Sequence, residues 1–202
     1  EMIATNPELS AAQSGPYQID CYGETDGSIK LHTTGGIPGY QIHWIDNGSS
    51  DTERFNLAAG DYIVTVADIS GCSITDTISI LQPDKLTIES ADVSNYTGFG
   101  VSCHDTTDGS ILIKTVGGMM PYHFAWTKDA VAMAQDTGFI ENLGTGSYYL
   151  EITDANSCTT QYDTVLTQPE PLQVTIIGHN ISCTGSVLGI AEATISGGTG
   201  NY

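Results

Sequence analysis

Five cysteines are the residues of this 202-residue chain with the most definite chemistry: Cys21, Cys72, Cys103, Cys158 and Cys183. None belongs to a Cys-x-x-Cys pair, and no histidine stands at the spacing of a structural zinc site. The pattern therefore favours disulfides, which persist in oxidising compartments. We expect an extracellular or cell-surface protein.

Catalytic chemistry has no comparable signal. The sequence contains no Gly-x-Ser-x-Gly elbow, phosphate-binding loop or His-Glu-x-x-His motif. Its five histidines have no nucleophile or carboxylate in matching positions. We therefore expect no enzyme activity, no catalytic residue and no cofactor.

Four aspartates in glycine-rich turns are weak candidates for calcium ligands: Asp26, Asp68, Asp108 and Asp154. Carboxylate oxygens in such loops suit a hard cation. No segment, however, has the dense acidic spacing of a calcium loop. We expect turn-forming aspartates in contact with water and no bound metal.

The sequence repeats itself, and the cysteines belong to the repeat. Cys21-Tyr-Gly-Glu-Thr-Asp-Gly-Ser-Ile recurs as Cys103-His-Asp-Thr-Thr-Asp-Gly-Ser-Ile. The landmarks that follow are Gly35, Tyr40, Trp44, Leu57, Tyr62, Asp68, Cys72 and Gln82 in the first copy, and Gly117, Tyr122, Trp126, Leu143, Tyr148, Asp154, Cys158 and Gln168 in the second. A third copy starts at Cys183 and reaches Gly197 and Tyr202 at the same offsets.

Proline junctions mark the predicted domain boundaries, because proline cannot donate to a central strand ladder. We predict complete repeats at 8–83 and 84–169, the end of a preceding repeat at 1–7, and the start of a truncated third repeat at 170–202. No signal peptide opens the chain, and no run of 18 apolar residues could span a bilayer. We expect a segment of a longer secreted protein.

Alternation of apolar and polar residues with a period of two predicts an all-β fold. Six or seven short strands in each repeat, separated by glycine-rich turns, indicate tandem immunoglobulin-like β-sandwiches. A tryptophan on the third strand and a Leu-x-x-Gly-x-Tyr tyrosine corner at the start of the sixth strand support that topology. The predicted core aromatics are Trp44, Trp126, Tyr62, Tyr148, Tyr40 and Tyr122.

Two pairings of the cysteines remain open. Pairing within each repeat would join Cys21 to Cys72 and Cys103 to Cys158, and would leave Cys183 without a partner. In an immunoglobulin-like sandwich, however, the turns that carry each such pair lie at opposite ends, roughly 20 Å apart, whereas a disulfide needs Cα atoms within about 7 Å. Where two domains meet end to end, a Cys21–Cys158 bond between repeats is the alternative.

The chain is strongly acidic, with a formal net charge of -19. This charge repels phosphate backbones and anionic bilayers, so we expect no nucleic-acid partner and no membrane insertion. The expected partners are the neighbouring repeats of the same chain.

The ordered pattern Cys-x-Gly-x-x-Asp-Gly-Ser-Ile, Gly-Gly-x-Pro-x-Tyr-x-x-x-Trp, Leu-x-x-Gly-x-Tyr, Asp-x-x-Gly-Cys, Gln-Pro resembles the SprB repeat. That family is named for a gliding-motility surface adhesin of Bacteroidota. The resemblance covers both complete repeats and the start of the third. It implies a long cell-surface filament exported by type IX secretion. Thr77, Thr106 and Thr164 each follow an aspartate, as in the Asp-Thr-apolar pattern that exported Bacteroidota proteins use for O-glycosylation, so they are candidate O-glycosylation sites, with ordinary strand threonines as the alternative.

The leading hypothesis is therefore a structural or adhesive repeat segment of a large secreted filament, which serves attachment or gliding. The alternative is a polysaccharide-binding module with a surface polysaccharide as ligand. Sugar platforms use exposed aromatic rings, and the candidates are Tyr22, Tyr96, Phe99 and Tyr149. These rings do not recur between the repeats, which favours the structural hypothesis.

Overall fold

A computed structural model of the chain describes residues 8–11, 19–179 and 189–200, and all the regular structure in these ranges is β-strand. The all-β prediction is confirmed. The predicted repeat end at 1–7 and Cys183 lie outside the described residues. The described ranges contain no helix that is long and apolar enough to cross a membrane.

The chain divides into two compact units. The first consists of residues 1–87 together with 116–122 and 153–158, and the second of 88–115, 123–152 and 159–202. Two loops of the second predicted repeat thus group with the first repeat. The boundaries of the repeats at 83 and 169 stay predictions from the sequence.

The first predicted repeat has six described strands in two three-stranded antiparallel sheets. They are β1 (Glu8–Ala11), β2 (Gly27–Thr34), β3 (Gln41–Trp44), β4 (Glu53–Leu57), β5 (Gly60–Ala67) and β6 (Ser73–Ile80). One sheet has the order β1-β2-β4 and the other β3-β5-β6. Two of the four adjacent pairs, β1-β2 and β5-β6, are consecutive in the chain, and the other three connections pass from one sheet to the other.

Alternating side chains of these strands form the core. Ile29 and Leu31 on β2 are buried, and the residues between them are exposed. Val64 and Val66 on β5 are buried in the same alternating way. Trp44 at the end of β3 is fully buried. The period of two in the sequence therefore separates a core face from a solvent face, as the pleat of a strand requires.

The second predicted repeat has seven strands, again in two sheets. They are β7 (Thr87–Val93), β8 (Gly109–Val116), β9 (His123–Lys128), β10 (Val131–Ala132), β11 (Phe139–Leu143), β12 (Gly146–Thr153) and β13 (Thr159–Leu166). The sheet orders are β11-β8-β7 and β10-β9-β12-β13. Strands β14 (Glu170–His179) and β15 (Ile190–Gly198) form a two-stranded antiparallel sheet.

The paired antiparallel sheets are those of a β-sandwich, and the immunoglobulin-like topology stays a prediction. Trp44 and Trp126 each lie on the third strand of their repeat and are buried. Tyr148 lies on the sixth strand of the second repeat, but Tyr62 lies on the fifth of the first. The placing of Tyr62 on a sixth strand was wrong, because the described part of the first repeat has no counterpart of the short strand β10.

Candidate functional site: the loops that join the repeats

The recurring tyrosines make the same hydrogen bond in both repeats. The hydroxyl of Tyr62 donates to the carbonyl of Ala58 at 2.9 Å, and that of Tyr148 donates to Gly144 at 2.9 Å. A tyrosine that bonds to the backbone a few residues upstream is a tyrosine corner. Tyr148 is almost fully buried and Tyr62 is half-buried. The Leu-x-x-Gly-x-Tyr motif thus fixes the turn that precedes β5 and β12.

Removing the hydroxyl of Tyr148 should lower the free energy of unfolding by about 1 kcal/mol, the usual net value of such a hydrogen bond. The test is chemical denaturation of Tyr148→Phe. Tyr149→Phe is a matched control, because Tyr149 is the next residue and its ring is 37% exposed. Equal midpoints for the two variants would contradict the assignment of a structural role to the Tyr148 hydroxyl.

The Gln-Pro landmark also has a recurring partner. The amide N–H of Gly23 donates to Gln82 Oε1 at 2.8 Å, and the N–H of Asp105 donates to Gln168 Oε1 at 2.8 Å. Gly23 and Asp105 both lie two residues after the first cysteine of their repeat, at positive φ. The glutamine therefore attaches the cysteine loop to the end of the last strand in each repeat.

Asp68 is buried and accepts several hydrogen bonds. Its Oδ1 accepts from the N–H and hydroxyl of Ser70 and from the N–H of Cys72, and its Oδ2 accepts from the N–H of Ile37 at 3.1 Å. The carboxylate thus closes the β5–β6 loop and ties it to the Gly35-Gly36 turn. Its charge is compensated by donors of its own repeat.

Asp154 is buried and does the same in the second repeat. Its Oδ1 accepts from the N–H groups of Asn156 and Cys158, both at 2.9 Å, and its Oδ2 accepts from the N–H of Met119 at 2.8 Å. The Asp-x-x-x-Cys landmark is therefore a loop of fixed shape. The aspartate at its start accepts the backbone N–H of the cysteine at its end.

The remaining calcium candidates also accept N–H groups: Asp26 accepts from Asp20 and Asp108 accepts from Ser102. Hydrogens that point at a carboxylate occupy the lone pairs that a cation would need. Within 19–179 and 189–200, no three His, Cys, Asp or Glu side chains lie close enough together to hold a metal ion. These contacts assign all four aspartates a place in turns.

The donors around Asp68 should make stability depend on pH. The Ser70 hydroxyl, and after it the N–H of Ile37, hold the pKa of this carboxyl below its ordinary value of 3.8. A lowered folded-state pKa means that the stabilisation is complete above about pH 4 and is lost as the pH falls through the folded pKa. The melting temperature of Asp68→Asn should therefore fall less than that of the wild type between pH 5 and roughly pH 2, and parallel pH profiles would contradict this.

One disulfide joins the two predicted repeats. Cys21 is bonded to Cys158, with Cα atoms 5.7 Å apart and a separation of 137 positions in sequence. Cys72 and Cys103 are free thiols. The within-repeat pairs Cys21–Cys72 and Cys103–Cys158 are therefore not formed. The reason is the one that made them doubtful: within one repeat, the loop before the second strand and the loop before the last strand lie at opposite ends.

The disulfide lies among further contacts inside the first unit. The side-chain Nδ2 of Asn156 donates to the carbonyl of Asp20 at 2.8 Å, next to Cys21. The N–H of Ala155 donates to the carbonyl of Met119 at 2.8 Å. Sequence reasoning missed Asn156 and Asp20, because only the approach of the two loops gives them a role. The loop 154–158 thus contacts the Cys21 loop through one covalent bond and one hydrogen bond.

A family model recognises the first part of each predicted repeat, which contains the cysteine loop and the buried tryptophan. A model of the SprB repeat matches residues 15–49 and 101–131, from the cysteine loop to beyond the tryptophan in each copy. The chain thus contains two regions that match the SprB repeat. Proteins with SprB repeats are cell-surface or extracellular proteins, and the match suggests a repeat segment of a surface adhesin-like protein. No curated protein gives a significant match.

Arg54 of the first SprB repeat is a second residue that the sequence did not single out. Its guanidinium lies 4.7 Å from the ring centre of Trp44 and 5.1 Å from that of Tyr62. Two hydrogen bonds of 2.8 and 2.7 Å join it to Asp46, and they hold the pKa of that carboxyl below its usual range. A bidentate pair that also covers two aromatic faces closes one edge of the core.

The other predicted site residues lie on the surfaces of the SprB repeats. Tyr22, Tyr96 and Tyr149 are exposed, and Phe99 is half-buried and forms a β-bridge with Tyr96. Of the predicted glycosylation sites, Thr77 is exposed on β6, whereas Thr106 and Thr164 are half-buried. The hydroxyl of Thr106 donates to the carbonyl of Cys103 at 2.9 Å. The core tyrosines Tyr40 and Tyr122 are half-buried.

Proposed function

We propose that this chain is a force-bearing segment of a large secreted cell-surface filament, and that the filament is an attachment or gliding adhesin exported by type IX secretion. The observation that carries the proposal is the Cys21–Cys158 disulfide. The backbone alone already joins the repeats, but this bond also keeps their two loops together and carries the load past the chain between them when the ends are pulled apart.

The hydrogen-bonded landmarks support a structural role for the repeats. The tyrosine, glutamine and aspartate motifs each make the same internal contact in both copies. Polar groups that are committed to internal bonds are poor candidates for substrate contact or proton transfer. The proposal accordingly assigns no reaction and no cofactor to this segment.

The charge of the chain supports a role on a surface exposed to water. A net charge of -19 spread over small domains keeps neighbouring filaments apart by repulsion. The excess of carboxylates also fits the proposal that neither nucleic acid nor membrane is a partner. The partners proposed here are adjoining repeats of the same chain.

Single-molecule stretching tests the mechanical part of the proposal. When the oxidised chain is pulled from its two ends, the residues between Cys21 and Cys158 lie inside a covalent loop and should not extend. Reduction should then release the 137 Cα–Cα steps that separate the two cysteines, which at about 3.4 Å each adds on the order of 450 Å of extension.

The comparison needs a variant that cannot form the bond. The double variant Cys21→Ser/Cys158→Ser should give the long extension with or without reductant, in successive unfolding events for the repeats. An oxidised wild type that extends as far as this variant would refute a force-bearing role for the disulfide. A single unfolding event in the double variant would argue against independently folded repeats.

A surface polysaccharide is the second candidate partner, and the exposed rings support it. Tyr22 is 54% exposed and Tyr149 is 37% exposed, which are accessible positions for stacking on a sugar. Their counterparts in the other repeat are His104 and Ile63, so the platform would belong to single repeats only. Glycan-array binding that is lost in Tyr22→Ala would favour this function, and an array without binding would leave the structural role as the better account.

A further inference from the structure

A cleft of about 430 Å³ lies beside the free thiol Cys103. It is lined by Ser102, Cys103 and His104, by residues 169–172, and by residues 198–200. The lining therefore combines the cysteine loop of the second SprB repeat with the first turn of the sheet that follows it. All of these residues belong to the second unit.

The Gly-Gly turn before Thr199 has the same backbone geometry as the Gly-Gly turn before Met119, which contacts the loop 154–158. Gly117 and Gly197 are equivalent, with φ of 74° and 80°. A Cβ atom at Gly117 would collide with the carbonyl oxygen of Lys85, and one at Gly197 with that of Pro171. Lys85 and Pro171 are equivalent by sequence, so the chain at the start of β14 meets the end of β15 as the chain before β7 meets the end of β8.

At the equivalent position in the first unit, a loop of this chain occupies the space. The loop 154–158 forms the disulfide with Cys21, donates from Asn156 to the carbonyl of Asp20, and accepts the N–H of Met119 at Asp154. The counterparts of Cys21, Asp20 and Met119 are Cys103, Ser102 and Thr199. All three counterparts line the cleft.

We propose that this cleft is the docking and disulfide site of an Asp-x-x-x-Cys loop from an adjoining SprB repeat, whose cysteine bonds to Cys103 as Cys158 bonds to Cys21. The aspartate of that loop would accept the N–H of Thr199. The inference rests on the tandem-array part of the proposed function. It is tested by disulfide formation at Cys103. That test can give a negative result while the stretching experiment still supports the proposed function.

The free thiol Cys72 shows that such a loop is shaped before it bonds. Asp68 accepts the N–H groups of Ser70 and Cys72 in the same way that Asp154 accepts those of Asn156 and Cys158. The loop therefore holds its cysteine in one position whether or not the sulfur is paired, and little ordering is required when it docks.

Bond formation needs an oxidant, and oxidised glutathione serves in the test. The thiolate of the loop cysteine attacks glutathione disulfide, forms a mixed disulfide and releases one glutathione thiol. The thiolate of Cys103 then attacks the loop sulfur, and the second glutathione leaves as a thiolate. Two protein thiols lose two electrons and two protons in total, and one glutathione disulfide becomes two thiols.

The first test uses the intact chain and a peptide with the sequence of residues 151–161, whose only thiol is the cysteine of the loop. Peptide and chain equilibrate in a glutathione redox buffer, and mapping measures the ratio of bound peptide to bound glutathione at each free thiol. We expect this ratio to be at least tenfold higher at Cys103 than at Cys72. Normalising to glutathione removes the effect of the greater exposure of Cys103.

A peptide in which the loop aspartate is alanine is the matched control, and it should lose the preference for Cys103. In a second test, residues 123–169 are repeated after Tyr202, the counterpart of Tyr122, to complete a third repeat. Cys103 should then be bonded to the added cysteine and become resistant to alkylation, whereas serine at the added position should leave it reactive. The proposal is overturned if, for both peptides, the ratio of bound peptide to bound glutathione is the same at Cys103 as at Cys72, and Cys103 also stays reactive towards alkylation in the extended chain.

Discussion

Replacing Trp44 with alanine is expected to lower the free energy of unfolding of the first SprB repeat by about 3–5 kcal/mol. The indole is fully buried at the end of β3, and its Nε1 donates to the carbonyl of Asp51 at 2.9 Å. Truncation leaves a large cavity, an unpaired carbonyl and the guanidinium of Arg54 without one of its aromatic faces. A small domain has little stability in reserve, so this loss is a large fraction of the total.

Hydrogen exchange measures the effect in the repeat where it occurs. The amides of β5 should lose protection in Trp44→Ala, while those of β13 in the second repeat provide an internal reference. The β5 amides should lose less protection in Trp44→Phe, because a ring still fills part of the space. They should lose none in Tyr22→Ala, since the Tyr22 ring is 54% exposed. Unchanged protection of β5 in Trp44→Ala would show that the tryptophan does not support this core.

The strands and their core faces could be predicted because they depend on local signals. Alternation in Ile29 and Leu31, or in Val64 and Val66, distinguishes two faces of a strand whatever its neighbours are. The recurrence of the pattern doubles the signal, since chance alternation would not repeat at equal spacing. The additional strand β10 escaped prediction because it is only two residues long.

The roles of the polar landmarks could be predicted only in part. Asp68 and Asp154 were noticed as carboxylates in turns, but their partners Ile37 and Met119 come from a different loop. Nothing in the sequence says that these loops meet. An aspartate that binds a cation and an aspartate that accepts backbone N–H groups are the same residue type in the sequence. Only the hydrogen-bond donors around the carboxylate distinguish the two roles.

The choice of disulfide partner shows the same limit more sharply. Sequence spacing favours Cys21–Cys72, which closes a short loop, over Cys21–Cys158. Chain topology decides against it, because a strand length separates the two ends of one sandwich. The predicted fold already implied that the two ends of one sandwich are a strand length apart. That distance could argue against a cysteine pair within one repeat, but it could not establish which cysteines pair.

Loss of the Cys21–Cys158 bond should have the largest effect on the whole chain. A cross-link across 137 residues removes conformational entropy from the unfolded state, worth about 5 kcal/mol in the chain-entropy description. The double variant Cys21→Ser/Cys158→Ser should therefore unfold at a lower urea concentration than the oxidised wild type, and reductant should bring the wild type to the same midpoint.

The equivalent loop of the first SprB repeat supplies the control. Cys72→Ser makes the same chemical change at the counterpart of Cys158, where the thiol is free, so it should keep the midpoint of the oxidised wild type and its response to reductant. A lowered midpoint in Cys72→Ser would mean that the thiol itself matters to the loop, through packing next to Asp68. If the oxidised wild type unfolds at the same urea concentration as the double variant, the bond does not constrain the unfolded chain. The stabilising role of the disulfide would then be refuted.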